Sequence, residues 1–490
     1  MLFLAKKSRR YRYRSTSPSE RTTKPFTIYQ PLFAISCLAM LSSCANLAGP
    51  EYKRPEAPIK TAWSQPTGST ISASEAIRPD WWTGFDDPYL NKLVGQAIID
   101  SIDIRILAAR IEVARASLGQ EKATLLPRAS GATGAQFTEQ PQGGSQQYSV
   151  QATLNWEIDI WGKLQKAVSA QEAALRATEA DWRAGYLTLV SDVASTYFQI
   201  RQFDEQIDQQ QKTLSTNQQI LAVYKAQYKE GLVSNSKVLQ QEAEVISLAR
   251  QLLDLERQRK LAENRLATLL GIPAGELKVP AAHLRDTVQP VDVPLDLPSD
   301  LLSRRPDVIA AEYRVLQAHE LVGQARLARL PSFSLTGSGG LASAVLSGLL
   351  KTWSLGLAPS ITFPIFDPSL NIRVKVNEAQ AKVVEEEYRN TVMRAFEEVE
   401  NALVNLASRK AQQERLKQQL DNLRIVNDQI HAQLREGLIS QLEVFESERS
   451  LLSAEQALLQ NYQEILADTV TLYKALGGGW PKERVTLAGE

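Results

Sequence analysis

The 490-residue chain is poor in the side chains from which catalytic and metal sites are usually built. It holds two cysteines, Cys37 and Cys44, and three histidines that are far apart in the sequence. A zinc cluster needs closely spaced ligands and a disulfide scaffold needs several cysteines, so both are excluded. The sequence also has no glycine-rich phosphate loop after a strand and no nucleophile elbow. We therefore expect neither enzymatic activity nor a bound metal or cofactor.

An excess of positive charge is missing as well. Lysine plus arginine and aspartate plus glutamate both number 55, but residues 1–43 carry eight basic residues and only one acidic residue. The remainder of the chain is therefore net acidic. Such a chain offers no general basic surface to a phosphate backbone, and we expect no nucleic acid partner.

Long apolar runs are the third absence. The run at 31–41 has eleven residues, well short of the roughly 20 that a membrane-spanning helix needs. With the basic stretch before it, this run predicts a secretory signal over residues 1–43. The signal ends on Leu41-Ser42-Ser43-Cys44, which resembles a bacterial lipobox and predicts a covalent lipid on Cys44. The alternative is a plain secretory signal with an incidental cysteine.

The chain repeats itself. Glu230-Gly-Leu-Val-Ser234 returns as Glu436-Gly-Leu-Ile-Ser440, and Leu270-Gly271 returns as Leu476-Gly477, both 206 residues later. Landmarks in one order at a constant offset indicate an internal duplication. The predicted organisation is an extended segment over 44–88, a first repeat over 89–280, a linker over 281–300, a second repeat over 301–480 and a tail over 481–490.

Each repeat contains two segments in which apolar and polar residues alternate. They lie around 128–138 and 148–160 in the first copy, and around 332–341 and 354–365 in the second. Alternation over 10 or more residues predicts β-hairpins. Two arrangements fit such hairpins: a membrane barrel, and a soluble sheet with one face in water. Together with the lipobox, the strand lengths favour a barrel. Four strands cannot close one, whereas twelve from three chains can, so we expect a homotrimer, with sixteen strands as the open alternative.

The segments between the hairpins predict very long helices. Residues 163–229 contain no proline, and apolar residues recur there every seven positions, at Val193, Ile200, Ile207, Leu214, Leu221 and Tyr228. A seven-residue period predicts left-handed coiled-coil packing. A helix of this length extends about 100 Å. Helical columns from three chains would continue the barrel as a hollow cylinder, and the alternative is a coiled-coil lipoprotein without a pore.

Several motifs resemble the outer membrane factor family, in particular its lipoprotein branch serving resistance-nodulation-division (RND) efflux pumps. They are Gly49-Pro-Glu-Tyr-Lys-Arg-Pro55, Trp156-Glu-Ile-Asp-Ile-Trp-Gly162, Leu297-Pro-Ser-Asp-Leu-Leu-Ser-Arg-Arg-Pro-Asp307, Thr362-Phe-Pro-Ile-Phe-Asp367 and Leu472-Tyr-Lys-Ala-Leu-Gly-Gly-Gly-Trp480. The resemblance implies a trimeric channel with a 12-stranded β-barrel in the outer membrane and an α-helical barrel in the periplasm. It also implies passive conduction of small molecules that an inner-membrane pump delivers through a periplasmic adaptor.

The resemblance also assigns roles to residues. The two helix-to-helix turns correspond to the adaptor-docking tips: Glu230, Gly231, Leu232, Val233 and Ser234, and Glu436, Gly437, Leu438, Ile439 and Ser440. Leu442, Glu446 and Arg449 match the spacing of the periplasmic gate, although Glu446 stands where related channels usually have aspartate. The alternatives are ordinary turn glycines at the tips and a solvated charge pair on a helix surface. A duct for type I protein secretion, which shares the fold, is the rival function.

Overall fold

The computed structural model describes residues 49, 51–58, 60, 62–64, 78–139, 141, 143–291, 293 and 301–480. The predicted signal, Cys44 and the C-terminal tail lie outside the described residues. Within this part of the chain, no helix is long and apolar enough to cross a membrane.

The first repeat begins with two short helices and ends with two long ones. The helices α1 (Pro88–Asp100) and α2 (Ile102–Ala123) precede the strands β1 (Arg128–Thr138) and β2 (Ser145–Ile158). The long helices α3 (Lys163–Lys229) and α4 (Asn235–Leu269) follow. The boundaries of α3 are those predicted from the proline-free stretch, whereas β2 begins three residues earlier than predicted. It also ends two residues earlier, where the Ile160 amide turns back to the carbonyl of Ile158.

The second repeat has the same order of elements. Helix α5 (Pro306–Leu327) leads into β3 (Ser332–Ser343) and β4 (Trp353–Thr362), and the helices α6 (Pro368–Arg435) and α7 (Gln441–Ala475) follow. Proline stands at the first position of α6, and the Asp367 side chain accepts the Ser369 amide 2.9 Å away. Proline has no backbone N–H, but an N–H in the first turn of a helix would have no helical partner, so Pro368 starts α6 without losing a hydrogen bond. The Asp367 side chain caps this start of the helix.

The four strands form one antiparallel sheet in the order β1-β2-β3-β4. Its register places polar residues opposite one another on one face, where Ser130 bonds Thr153 at 2.8 Å and Ser334 bonds Ser360 at 2.7 Å. On the other face of β4, Leu355 is 82% exposed. Every residue of the four strands is at least partly exposed, so one chain buries neither face.

The apolar core lies beside the middle of the long helices, where α3 packs against α2, α5 and α7. Val193, Tyr197 and Ile200 of α3 and Leu459 and Leu466 of α7 are fully buried there. The predicted seven-residue stripe is buried at Val193 and Ile200. Towards the end of α3 the stripe becomes partly exposed, and at Tyr228 exposed. A more polar set three positions further along is buried there instead: Gln210, Asn217 and Tyr224.

Arg305 explains part of the Arg-Arg-Pro-Asp motif. This buried guanidinium pairs with Asp307 at 2.6 Å and with Glu398 of α6 at 2.7 Å. It also donates to the carbonyl of Ala475 at the end of α7, 3.0 Å away. One side chain therefore fixes the start of α5 to both long helices of its repeat.

The described part of the extended segment lies along α5 and α6. Tyr52 stacks edge-on against His319, with ring centroids 5.7 Å apart, and Arg54 forms a bidentate pair with Glu312. Further along, Lys60 and Ser64 both bond Glu400 of α6. These contacts run along α5 and on to the middle of α6.

Candidate docking tips and periplasmic gate

Both helix-to-helix turns reverse the chain through a left-handed glycine. Gly231 has φ 72° and Gly437 has φ 68°. In the first turn the amide of Leu232 donates to the carbonyl of Gln227, and the Gly231 amide donates to Tyr228. The second turn repeats this bonding pattern at Leu438 and Gly437. This is the Schellman arrangement, in which a residue with a side chain would be strained at the glycine position.

Each turn presents an exposed leucine. Leu232 is 73% exposed and Leu438 is 74% exposed. The two turns are close together, because the Tyr224 hydroxyl near the end of α3 bonds Gln441 at the start of α7. The duplicated sequence therefore yields a paired apolar surface, which we name the twin tips: 230–234 and 436–440.

The helices that leave the twin tips start differently. At the second turn, Ser440 and Glu443 form a capping box in which each side chain bonds the backbone of the other. At the first turn, Ser234 is the cap residue of α4 but makes no side-chain cap bond. Position N3 there is Lys237, which cannot complete the box; its ammonium lies over the Tyr224 ring, 4.8 Å from the centroid.

The predicted gate residues lie within the first three turns of α7. Leu442 is 57% exposed, and Glu446 and Arg449 are exposed as well. The structure pairs Arg449 with Glu244 of α4, at 3.1 Å. Arg449 therefore ties two helices together within one chain. Sequence reasoning missed Glu244, which carries no motif and stands in the middle of a polar helix.

A polar seam lies behind the twin tips, defined by Gln210, Asn217, Gln241, Gln441 and Glu448. Four of these side chains are almost completely buried, and Glu448 is 16% exposed. Burial raises the pKa of the Glu448 carboxyl above its usual range, and the nearby His431 imidazole opposes that shift. The only sequence signal for the seam is the seven-residue spacing of its α3 members, which is easily overlooked because they are polar.

A second polar cluster is buried in the middle of the helices. Asp204 of α3 accepts from Arg259 of α4 and lies 3.4 Å from Arg201, and both of its oxygens are engaged. Glu263 bonds Arg259, Lys260 and the Val279 amide. Burial disfavours the charged form of Glu263, but these bonds outweigh it and hold its pKa below the usual range. Among the described residues, no group of three or more His, Cys, Asp or Glu side chains is arranged to hold a metal ion.

Comparison with known proteins assigns the family. The model of the outer membrane efflux protein family matches residues 93–272 and again residues 297–478. The chain belongs to the outer membrane efflux protein family. The two matches coincide with the two structural repeats.

Curated relatives span nearly the whole chain. The chain is 31% identical over 453 residues to the cation efflux system protein CusC of Escherichia coli, covering 91% of this chain and 98% of that protein. It is 29% identical over 460 residues to the probable outer membrane lipoprotein SilC of Salmonella typhimurium, covering 92% and 98%. A crystal structure of CusC superposes with a TM-score of 0.79 at 28% identity, covering 88% of this chain and 99% of that one.

These findings confirm the predicted fold class, that of a trimeric outer membrane channel in which each chain contributes four strands and two helical repeats. They also confirm the predicted location in the outer membrane and the predicted function as the outer membrane channel of an efflux system of the RND type. The residues of the tips and of the gate remain predictions.

Proposed function

We propose that this efflux protein acts as a homotrimer whose twelve strands close around one aqueous passage. The exposed sheet carries this proposal. A four-stranded sheet with two open edges and no buried face does not satisfy its own backbone or side chains. Pairing β1 of one copy with β4 of the next removes the edges. The hydroxyl-rich face then lines the passage, and the face of Leu355 and Trp353 meets lipid.

The adaptor-docking role rests on the twin tips. Two leucines more than 70% exposed, on backbone turns of the same geometry, offer matched apolar contacts to a partner. Threefold repetition would present six such turns around the periplasmic end. The partner is a periplasmic membrane-fusion adaptor, which links the channel to the inner-membrane pump.

The gate proposal places Leu442, Glu446 and Arg449 around the periplasmic aperture. Leu442 and Glu446 are exposed in one chain and become rings under threefold symmetry. A leucine ring narrows and dewets an aperture, and a carboxylate ring favours cations there. The pair of Arg449 and Glu244 holds α7 against α4 and so sets the position of the rings.

The lipid proposal for Cys44 rests on the lipobox-like sequence Leu41-Ser42-Ser43-Cys44. It is supported by the similarity of this chain to SilC, which is described as a probable outer membrane lipoprotein. Globomycin-sensitive processing and loss of a palmitate label in Cys44→Ser would test this modification.

Conduction is tested with single-channel recordings. Purified protein reconstituted in planar bilayers is expected to give discrete current steps, and a preparation that stays silent contradicts the channel. Glu446→Ala is expected to increase the time spent open and to make cells sensitive to vancomycin. Glu414→Ala is the control, because Glu414 is 65% exposed and pairs only with Lys417 of its own helix.

Docking is tested with photo-crosslinkers at Leu232 and Leu438. Both are expected to capture the adaptor, whereas a crosslinker at Val113 of α2, which is 67% exposed, is expected to capture none. Equal capture from all three positions would contradict the docking proposal. A crosslink instead to a type I secretion adaptor would favour the protein-export duct over RND efflux.

A further inference from the structure

A cavity of ≈ 320 Å³ lies behind the twin tips, where three long helices meet. Glu448, two turns after the start of α7, faces it together with His431 of α6 and Asn217 of α3. The remaining lining residues are Lys212, Thr213, Thr216, Asn427, Leu451, Leu452 and Glu455. The cavity is therefore mixed in polarity and has room for water beside a buried carboxylate.

Polar contacts at this level involve all four long helices. Gln241 of α4 donates to the side chain and the carbonyl of Asn217 of α3, at 2.9 and 3.0 Å. Asn217 and Glu448 line the same cavity, and the Glu448 carboxylate lies 3.2 Å from the imidazole Nε2 of His431. Glu448 therefore lies between the α6–α7 hairpin and the α3–α4 hairpin, which the pairs Tyr224–Gln441 and Arg449–Glu244 also join.

The other charged groups around Glu448 are engaged elsewhere. Lys212 pairs with Asp208 at 2.7 Å, Arg449 with Glu244 at 3.1 Å, and Arg424 with Glu455 at 3.4 Å. Tyr224 bonds Gln441. The His431 imidazole contacts Glu448 and favours its charged form, while Glu244 contributes a repulsive negative charge. The negative charge of Glu448 therefore has little neighbouring positive charge to offset the cost of its burial.

We propose that Glu448 is a proton-controlled latch, which holds the two hairpins together when it is protonated and favours their separation when it is ionised. The proposal rests on the proposed channel function, since separation of the hairpins at the tips is what would widen the periplasmic aperture. The physical cause is desolvation: an ionised Glu448 in the packed seam is less hydrated than it would be if the helices moved apart.

The sign follows from proton linkage. The packed seam raises the pKa of Glu448, so the packed arrangement binds the proton more tightly than a separated and hydrated one. Packing is therefore favoured as the pH falls, and the advantage is lost as the pH rises through the raised pKa. Within that window the separated-to-packed ratio is expected to rise by up to about tenfold per pH unit for each protomer.

The test measures the distance between the hairpins at the tips and the single-channel current over the same pH range. Spin labels on cysteines introduced at Lys229 and Arg435, the last residues of α3 and α6, report the distance between the hairpins of the full-length trimer from pH 4 to pH 8. Single-channel recordings over the same range report the open-state occupancy. In the wild type both the long-distance population and the occupancy are expected to rise with pH.

Two substitutions at the latch have opposite expected results. Glu448→Gln keeps the shape and the hydrogen bonds but cannot ionise, so the tips should stay packed and the pH dependence should vanish. His431→Gln removes the imidazole that favours the charged form of Glu448, so the transition should move to higher pH. Glu414→Gln, at an exposed carboxylate, should follow the wild type.

The outcomes separate the latch from the channel. If currents appear but the wild type and Glu448→Gln share one pH dependence, the latch is wrong and the channel stands. If His431→Gln abolishes the transition instead of shifting it, the titrating group is the imidazole and the proposal is overturned. If the labels follow the expected pH dependence but no variant conducts, the channel proposal fails and the latch remains as a property of the helices.

Discussion

The middle of the long helices and their tips are stabilised in different ways. In the middle, α3 and α7 bury large apolar side chains such as Tyr197, Phe198 and Leu466, each with essentially no exposure. Near the tips, the second apolar cluster among the described residues is built around Leu420, Ala454 and Leu458. There the same helices bury the polar seam instead. The middle is held mainly by non-directional apolar packing, together with the buried ion pairs of Asp204 and Glu263, and the tips mainly by a few directional hydrogen bonds.

That difference separates a fixed part of the molecule from a movable one. Apolar packing of this density resists sliding, because any shift opens cavities. A seam of amide and carboxyl groups can exchange partners with water at little cost, and two of its buried oxygens, Oε1 of Gln210 and Oε1 of Gln241, have no protein partner. Motion that changes the aperture is therefore expected at the tips and not in the middle.

The largest contrast is expected for buried charge. Asp204→Ala leaves Arg201 and Arg259 without their shared carboxylate in the buried cluster, and should lower the free energy of unfolding by about 3–5 kcal/mol. Glu244→Ala removes the partner of an exposed arginine at the tips and should cost about 1 kcal/mol or less. Urea unfolding of both variants measures the difference. Equal losses would mean that the two regions do not differ.

Apolar truncation gives the second contrast. Leu459→Ala removes a fully buried side chain from the middle of α7 and should cost about 2–5 kcal/mol. Leu438→Ala, at an exposed position of the twin tips, should change stability by less than about 0.5 kcal/mol. It should nevertheless weaken binding to the adaptor, measured with purified components. Normal binding by Leu438→Ala would argue against its place in the docking surface.

The pH dependence of stability should differ in sign between the middle of the helices, where the pKa of Glu263 is lowered, and the tips, where the pKa of Glu448 is raised. The lowered pKa of Glu263 means that its stabilising bonds are present above the ordinary carboxyl pKa and are lost as the pH falls through the lowered value. Glu263→Gln should therefore cost about 2 kcal/mol at neutral pH. That cost should shrink on acidification, when the wild-type carboxyl also becomes neutral. Denaturation at pH 7 and pH 4 measures it, and a cost that grows at low pH would contradict the assignment.

The smallest contrast lies between the starts of α4 and α7. Ser440→Ala removes one half of a capping box and should weaken the first turn of α7 by about 1 kcal/mol. Ser234→Ala removes a side chain that makes no cap bond, so its effect should stay below about 0.5 kcal/mol. Hydrogen exchange of the two first turns compares them. Similar protection losses would show that the first turn uses its serine as well.

The strands and long helices could be predicted because their signals are local. An uninterrupted stretch without proline gave the limits of α3, and period-2 alternation located all four strands. The turn glycines were equally readable, since only glycine takes their backbone conformation at no cost. The polar seam could not be predicted from the sequence, because buried amide side chains cannot be distinguished from surface ones until the partner helix is known. The partner of Arg449 was missed for the same reason.

The sequence by itself determined the elements, their duplication and the family of outer membrane efflux proteins, because periodicity, glycine turns and repeated motifs are properties of neighbouring residues. Only the tertiary structure decided which helices share the apolar core and where polar groups replace it. Those features depend on side chains that are more than a hundred residues apart, such as Tyr224 and Gln441 or Arg449 and Glu244. Their energies arise when packing removes water from both partners at once, which no single stretch of chain can encode.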